Sequence, residues 1–170
     1  MTLTSNLLDY TIEHYNLNII DFDDNTCRTE LFPKEGDALL KERRKLYIIY
    51  FDKQVLYVGE AHTSIKTRFQ RGCNAYNYYK RNNDVARNDY KGYKWLNKEF
   101  NSHRNLTVGV VTFSEKYDFN REFIEAIEGE LVYKIRNKTG YWPKFQNEIH
   151  FSNCDEAKEI VKSILEKVLI

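Results

Sequence analysis

Two short runs separated by two residues constrain this chain more than any other feature. Leu46-Tyr47-Ile48-Ile49-Tyr50-Phe51 and Gln54-Val55-Leu56-Tyr57-Val58 are apolar, aromatic and β-branched, with only Asp52-Lys53 between them. Such side chains suit a pleated, half-buried surface, and so short a connection pairs the two runs with each other. The segment reads as a tight antiparallel β-hairpin. With a side-chain period of two, Tyr47 and Tyr57 are expected as near neighbours on one face. Tyr50, an odd number of residues from Tyr47, belongs on the other face.

The remaining elements are read outward from this hairpin. Residues 5–15 place Leu7, Leu8, Ile12 and Tyr15 on one helical face. Asp21, Asp23, Asp24, Asn25, Pro33 and Gly36 make 21–36 a loop, and a short helix is expected around 37–44. Residues 63–71 read as a helix, with Ile65 and Phe69 four apart, and 106–113 as a buried strand with Val108, Val110 and Val111. A long helix over 119–137 is capped by Asp118 or Asn120, stopped at Gly140, and striped by Ile124, Ile127, Leu131, Val132 and Ile135. A last amphipathic helix, about 154–169, carries Ala157, Ile160, Val161, Ile164, Leu165 and Val168. Together these predict an α+β fold, a small, mostly antiparallel sheet with a β-hairpin, flanked by helices. The organisation expected is an acidic N-terminal extension over 1–44, helix plus loop, a core over 45–150 with an insertion at about 70–105, and a C-terminal helix over 151–170 packed on that core.

A chain of 170 residues suits one domain. Its net charge of +1 conceals a division. Residues 1–44 hold 5 basic and 9 acidic side chains, 62–105 hold 10 and 3, and 106–170 hold 9 and 11. A cationic region concentrated in this way attracts a polyanion even on a neutral protein. Cys27, Cys73 and Cys154 are far apart with no C-x-x-C pair, which predicts reduced thiols and argues against zinc. Neither a signal peptide nor a membrane span is visible in the sequence, so a soluble cytoplasmic protein is expected.

Glu128 falls in register with Ile124, Leu131 and Ile135 on the long helix. A carboxylate on that stripe needs a metal ion, an arginine or a hydrogen-bond network, or else sits half-exposed at the stripe's edge. Glu125 and Glu130 fall off the stripe and are expected to be solvated.

Tyr47-Ile48-Ile49-Tyr50, Leu56-Tyr57-Val58-Gly59, Arg68 and Glu128-Gly129-Glu130-Leu131-Val132, in this order, resemble the signature of the GIY-YIG nuclease superfamily. Pro143-Lys144-Phe145-Gln146-Asn147 is similar to the family's Pro-x-x-Asn ending, with one residue more. The chain departs from the pattern at Lys45 and Leu46, which stand where the family has Gly and Ile or Val. It departs again at Glu60, an acid where a phosphate-binding residue is common. The resemblance covers about 46–147 and implies a small stand-alone endonuclease that hydrolyses phosphodiester bonds in DNA with Mg²⁺ or Mn²⁺. A structure-specific or repair nicking nuclease, and an inactive relative that only binds nucleic acid, are the other readings.

By this resemblance Glu128 holds the metal, Arg68 forks onto the scissile phosphate, Tyr47 or Tyr57 accepts a proton from water, and Asn147 contacts substrate or orients a phenol. Which tyrosine is the base stays open. So does the reading in which Arg68 simply pairs with Glu128. His62 either supplies the polar group toward phosphate that Glu60 does not offer or is a surface histidine. Within the insertion, Arg71, Lys80, Arg81, Arg87, Lys91 and Lys94 alternate with tyrosines, the composition of a nucleic-acid surface, here most suited to double-stranded DNA. Tyr93 and Trp95 are expected to bury against the domain. The acidic 1–44 segment could cover a sheet face or form a homodimer contact.

Overall fold

The computed structural model describes residues 9–20, 26–89, 93–101, 105–146, 149, 151–152 and 154–168. In chain order these form strands β1 (Tyr10–Ile20), β2 (Arg28–Phe32), β3 (Lys45–Phe51) and β4 (Gln54–Ala61), then helix α1 (Ile65–Arg81). The one-turn helix α2 (Lys98–Asn101), strand β5 (Leu106–Phe113) and helices α3 (Arg121–Thr139) and α4 (Asp155–Val168) follow. The strands build one five-stranded sheet in the order β2-β1-β5-β3-β4, with every neighbouring pair antiparallel. The fold is therefore α+β, a five-stranded antiparallel sheet flanked by helices.

Strand alternation divides the core into two layers. Tyr15, Leu17, Tyr47, Ile49, Val108 and Val110 face α1, where they meet Ile65, Phe69 and Cys73 together with Trp95 and Leu96. Leu46, Ile48, Val58, Val111 and Phe113 face α3 and α4. Tyr50 packs on this second side, as its distance from Tyr47 requires. The hairpin turns at Asp52-Lys53, with Asp52 in the left-handed region, and its register shifts after Ile49 so that Leu56 is passed over between Tyr57 and Val55.

The N-terminal part differs from its sequence reading. Of the helix expected over 5–15, residues from Tyr10 onward are β1, paired along β5 from Tyr10↔Phe113 to Leu17↔Leu106; residues 5–8 lie outside the described residues. Helical spacing was mimicked by Leu7, Leu8, Ile12 and Tyr15. Strand alternation fits better, because Tyr15 and Leu17 are buried toward α1 while Tyr10 and Ile12 pack on the opposite layer. Part of the loop expected over 21–36 is strand β2, and the helix expected around 37–44 is a single 3₁₀ turn, Asp37–Leu39. Glu13 anchors that turn, its carboxylate accepting from the backbone N–H of Asp37 (3.1 Å) and Ala38 (2.8 Å) and from the Tyr15 hydroxyl (2.9 Å). α1 is also longer than the 63–71 expected, and takes in the first part of the basic insertion.

The C-terminal half follows the sequence closely. Asn120 caps α3 by accepting from the Phe123 N–H (3.2 Å), and Gly140 ends it in the left-handed conformation. α4 packs on α3 and the sheet, and the Tyr10 hydroxyl donates to Ser163 Oγ across that layer (2.8 Å). Among the described residues no helix is long and apolar enough to cross a membrane.

β4 would present a bare strand edge, a surface prone to unwanted pairing. Residues 144–146 cover it. The Lys144 and Phe145 N–H groups donate to the Val55 and Leu56 carbonyls (3.1 and 2.9 Å). The Gln146 amide then donates to the Val58 carbonyl and accepts from its N–H, both at 2.9 Å. Gln146→Ala leaves both Val58 groups without this partner and should cost ~1–3 kcal/mol. Urea unfolding should show a lower midpoint at unchanged slope; a loss below ~0.5 kcal/mol would mean that water replaces the clamp.

Candidate active site

Tyr47 pairs across the hairpin with Gly59. A Cβ at Gly59 would run into the Tyr47 ring and hydroxyl, so the ring lies across the β4 backbone in space that only glycine leaves. The ring is 1% exposed. It stacks on Tyr57, centroids 6.1 Å apart at 29°, and meets the edge of Phe69 at 5.3 Å. Tyr57 is half-buried and so more open to solvent than its neighbour.

The start of α1 sets Arg68. Ser64 caps the helix through the Thr67 N–H (3.1 Å), and Ile65 and Phe69 turn into the core. Arg68 is thereby held one turn in, with its Nε donating to the Tyr47 hydroxyl at 3.4 Å. Two phenols and a guanidinium from three elements therefore share one face of the hairpin.

Glu128 approaches from α3, the layer on the other side of the sheet, and is half-buried. Burial pushes its carboxyl up to about 7. Glu60 and Glu125 push the same way, and Arg68 and Arg121 pull against them. Arg68 thus touches Tyr47 while acting on Glu128 through its field. Glu60, the acid at the departing position, is neutralised by Arg44 at 2.5 Å. Arg44 in turn donates to the Asp118 carbonyl (3.0 Å), and the Asp118 carboxylate holds Arg43 (2.8 Å). Asp118 is occupied in this network while Asn120 caps α3.

His62 is exposed in the turn between β4 and α1. Asn147 and Lys91 lie outside the described residues. Arg71, Arg81, Arg87 and Lys94 are exposed, and Lys80 is exposed but paired with Asp84 at 3.2 Å. Tyr93 and Trp95 are buried, Trp95 against Phe69 with centroids 5.1 Å apart. Among the described residues of the insertion, Tyr93 and Trp95 are therefore core, and Arg71, Lys80, Arg81, Arg87 and Lys94 are surface.

Glu130 corrects the sequence reading. It is 3% exposed rather than solvated, and faces Lys134 at 3.7 Å. α4 closes over that side of α3, and Lys158 from α4 is close enough to be acted on by its charge. A helical wheel of α3 alone contains no trace of that second helix. Sequence reasoning also missed two positioning residues, Gln146 on the β4 edge and Lys45. Lys45 is fully buried, donates to the carbonyls of Leu40 (2.9 Å) and Arg43 (2.8 Å), and is lowered by burial to about 8. Its visible signal was a lysine at the head of an apolar strand. By holding the chain before β3 it fixes where Arg43 and Arg44 begin.

Among the described residues no group of three or more His, Cys, Asp or Glu side chains is placed to share a metal ion. A divalent cation here would depend on one carboxylate, with water and substrate oxygens completing its shell. Glu128 suits that part, since its desolvated charge is opposed by neighbouring acids and a cation would relieve both effects.

No protein-family model matches the chain, and neither a curated protein nor a solved structure was found to be similar to it.

The raised Glu128 carboxyl has a consequence for stability. The folded state holds its proton more tightly than the unfolded chain, whose carboxyl titrates near 4.5. The stabilisation this gives is full below that pH and is lost as pH rises through about 7. Glu128→Gln keeps a neutral group at every pH. In metal-free buffer at pH 8 it should be more stable than the parent by ~1–3 kcal/mol in urea titrations, the gap closing by pH 4. Equal stability at pH 8 would show that the carboxyl is well solvated.

Proposed function

We propose that the protein is a metal-dependent endonuclease of the GIY-YIG type that hydrolyses phosphodiester bonds in DNA. The observation that carries this reading is the stacked Tyr47 and Tyr57 pair with Arg68 on the Tyr47 hydroxyl, inside whose field lies the desolvated Glu128. A cluster built only for stability would not place a half-buried acid among other acids, because an unpaired buried charge costs several kcal/mol.

The reaction adds water to phosphorus and breaks the bond to the 3′-oxygen, which leaves protonated. Arg68 offers a planar fork to two phosphoryl oxygens as charge grows on them. Its donation to the Tyr47 oxygen also favours the phenolate, the form able to accept a proton. Tyr57, the more exposed of the pair, offers its hydroxyl to the attacking water. Glu128 would hold Mg²⁺ or Mn²⁺, which when bound acidifies coordinated water and offsets phosphoryl charge. The exposed cations on and beyond α1, Arg71, Arg81 and Arg87 among them, would hold the flanking phosphates.

Supercoiled plasmid incubated with and without Mg²⁺ tests the reading. Metal-dependent linear product is expected from paired cuts, and open circles would assign the protein to the structure-specific or repair nicking class. Glu128→Ala should abolish cutting while DNA affinity in metal-free buffer stays within a few-fold. Glu125→Ala, on the exposed side of α3 and paired with Arg121, should cut normally. Binding without cleavage by the parent protein would leave the inactive relative as the reading. Metal-dependent cleavage by Glu128→Ala would remove Glu128 from the site.

A further inference from the structure

Past Arg68, α1 turns a second set of side chains to the surface. Arg68, Arg71, Ala75 and Tyr78 line one wall of a groove of about 320 Å³, and Arg87 and Asn88 from the following turn form the other. That volume matches a small organic ligand. Arg68 lines this groove as well, so the groove and the site described above share that residue.

Its chemistry is selective. Three guanidinium groups line it, and none of the described lining residues carries a carboxylate. Tyr78 is 39% exposed, with the Arg87 guanidinium 5.7 Å from its ring centroid. Asn88 adopts a left-handed conformation, one that asparagine tolerates better than most residues, as the chain turns after Arg87. A larger cavity of about 980 Å³ beside the same helix is electrostatically mixed, with Lys80 tied to Asp84 and Glu99 present as well. An anion is favoured in the first and not in the second. A bare phosphate would use the arginines but leave the tyrosine face unused. A nucleotide uses both, through charge and through stacking of its base.

We propose that this groove seats one unstacked nucleotide of the DNA strand being cut, its phosphate toward Arg71 and its base against Tyr78 and Arg87. The proposal rests on the nuclease reading for the identity of the strand. Arg71 lies about 4.5 Å and Tyr78 ~15 Å beyond Arg68 along the helix axis, so the seated nucleotide is next, or next but one, to the scissile phosphate. An unpaired base need not be pulled from a duplex, so DNA carrying a gap or flap there is favoured over intact duplex.

The test is fluorescence anisotropy of the full chain with a labelled duplex carrying a short single-stranded gap, and with the intact duplex, at fixed salt without metal. The parent should prefer gapped DNA by about fivefold or more. Tyr78→Ala should lose roughly tenfold on gapped DNA and little on intact duplex, which erases the preference. Tyr78→Phe should keep it, since the ring remains. Arg71→Ala and Arg87→Ala should weaken gapped binding, and Lys162→Ala, on the exposed side of α4, should not. Parent-like gapped binding by Tyr78→Ala overturns the proposal. Plasmid cutting by the same preparations separates the two readings. Cutting with no Tyr78 dependence of binding leaves the nuclease reading and removes the groove. Tyr78-dependent binding without cutting keeps the groove and removes the nuclease. A parent that binds neither DNA removes both.

Discussion

The ring of Tyr47 fills the space that a side chain at position 59 would occupy, and the other contacts of the site are arranged around it. Its cross-strand partner must be glycine. A slip of one residue would put Val58 or Glu60 opposite the ring and turn Tyr47 toward α3 and α4, so this contact and the hairpin register support each other. With the ring in place, Tyr57 stacks on one side and Phe69 meets it edge-on, which sets α1 against the hairpin. Such aromatic pairs add ~0.5–1.5 kcal/mol each beyond their buried area. The hydroxyl is then left at the point where Arg68 can donate to it.

Charge placement on the second layer has the opposite character. Arg44 and Glu60 satisfy each other, and Asp118 satisfies Arg43 and Arg44. Glu130 has Lys134 beside it, and Glu125 has Arg121. Glu128 stands apart from this pattern. Burial and two nearby acids oppose its charge, and Arg68 and Arg121 offset them only in part. A carboxyl so opposed destabilises the fold at neutral pH, and the proposed metal role of Glu128 would account for a residue that folding alone does not favour.

The hairpin, α3 and α4 were legible because each is specified by local chemistry: alternation across a two-residue turn, an asparagine cap with a glycine stop, and a single apolar stripe. The facing of Tyr47, Tyr57 and Tyr50 followed from strand period alone. β1 was not legible, because its apolar residues point to two different layers and their combined spacing imitates a helix. β2 is five residues long and acquires its identity only from pairing with β1. The burial of Glu130 has no local signal, because α4, an element more than twenty residues away in the chain, closes over it. The role of Gln146 has no local signal, because it depends on a strand edge 88 residues earlier. Interactions within one element or across a short turn are legible in the sequence, whereas the burial of Glu130 and the contacts of Gln146 depend on elements that only the fold brings together.

Single-turnover cleavage by three phenylalanine variants tests the central claim most directly, since each removes one hydroxyl and keeps the ring. Tyr47→Phe and Tyr57→Phe should each slow the chemical step at least tenfold, within the ~10²–10⁴-fold typical of losing a general base for whichever is the base. Tyr50→Phe, on the opposite face of the same strand, should cut at close to the parent rate. Parent-like rates in both Tyr47→Phe and Tyr57→Phe would contradict the account, and would reduce the stacked pair to a packing device of the hairpin.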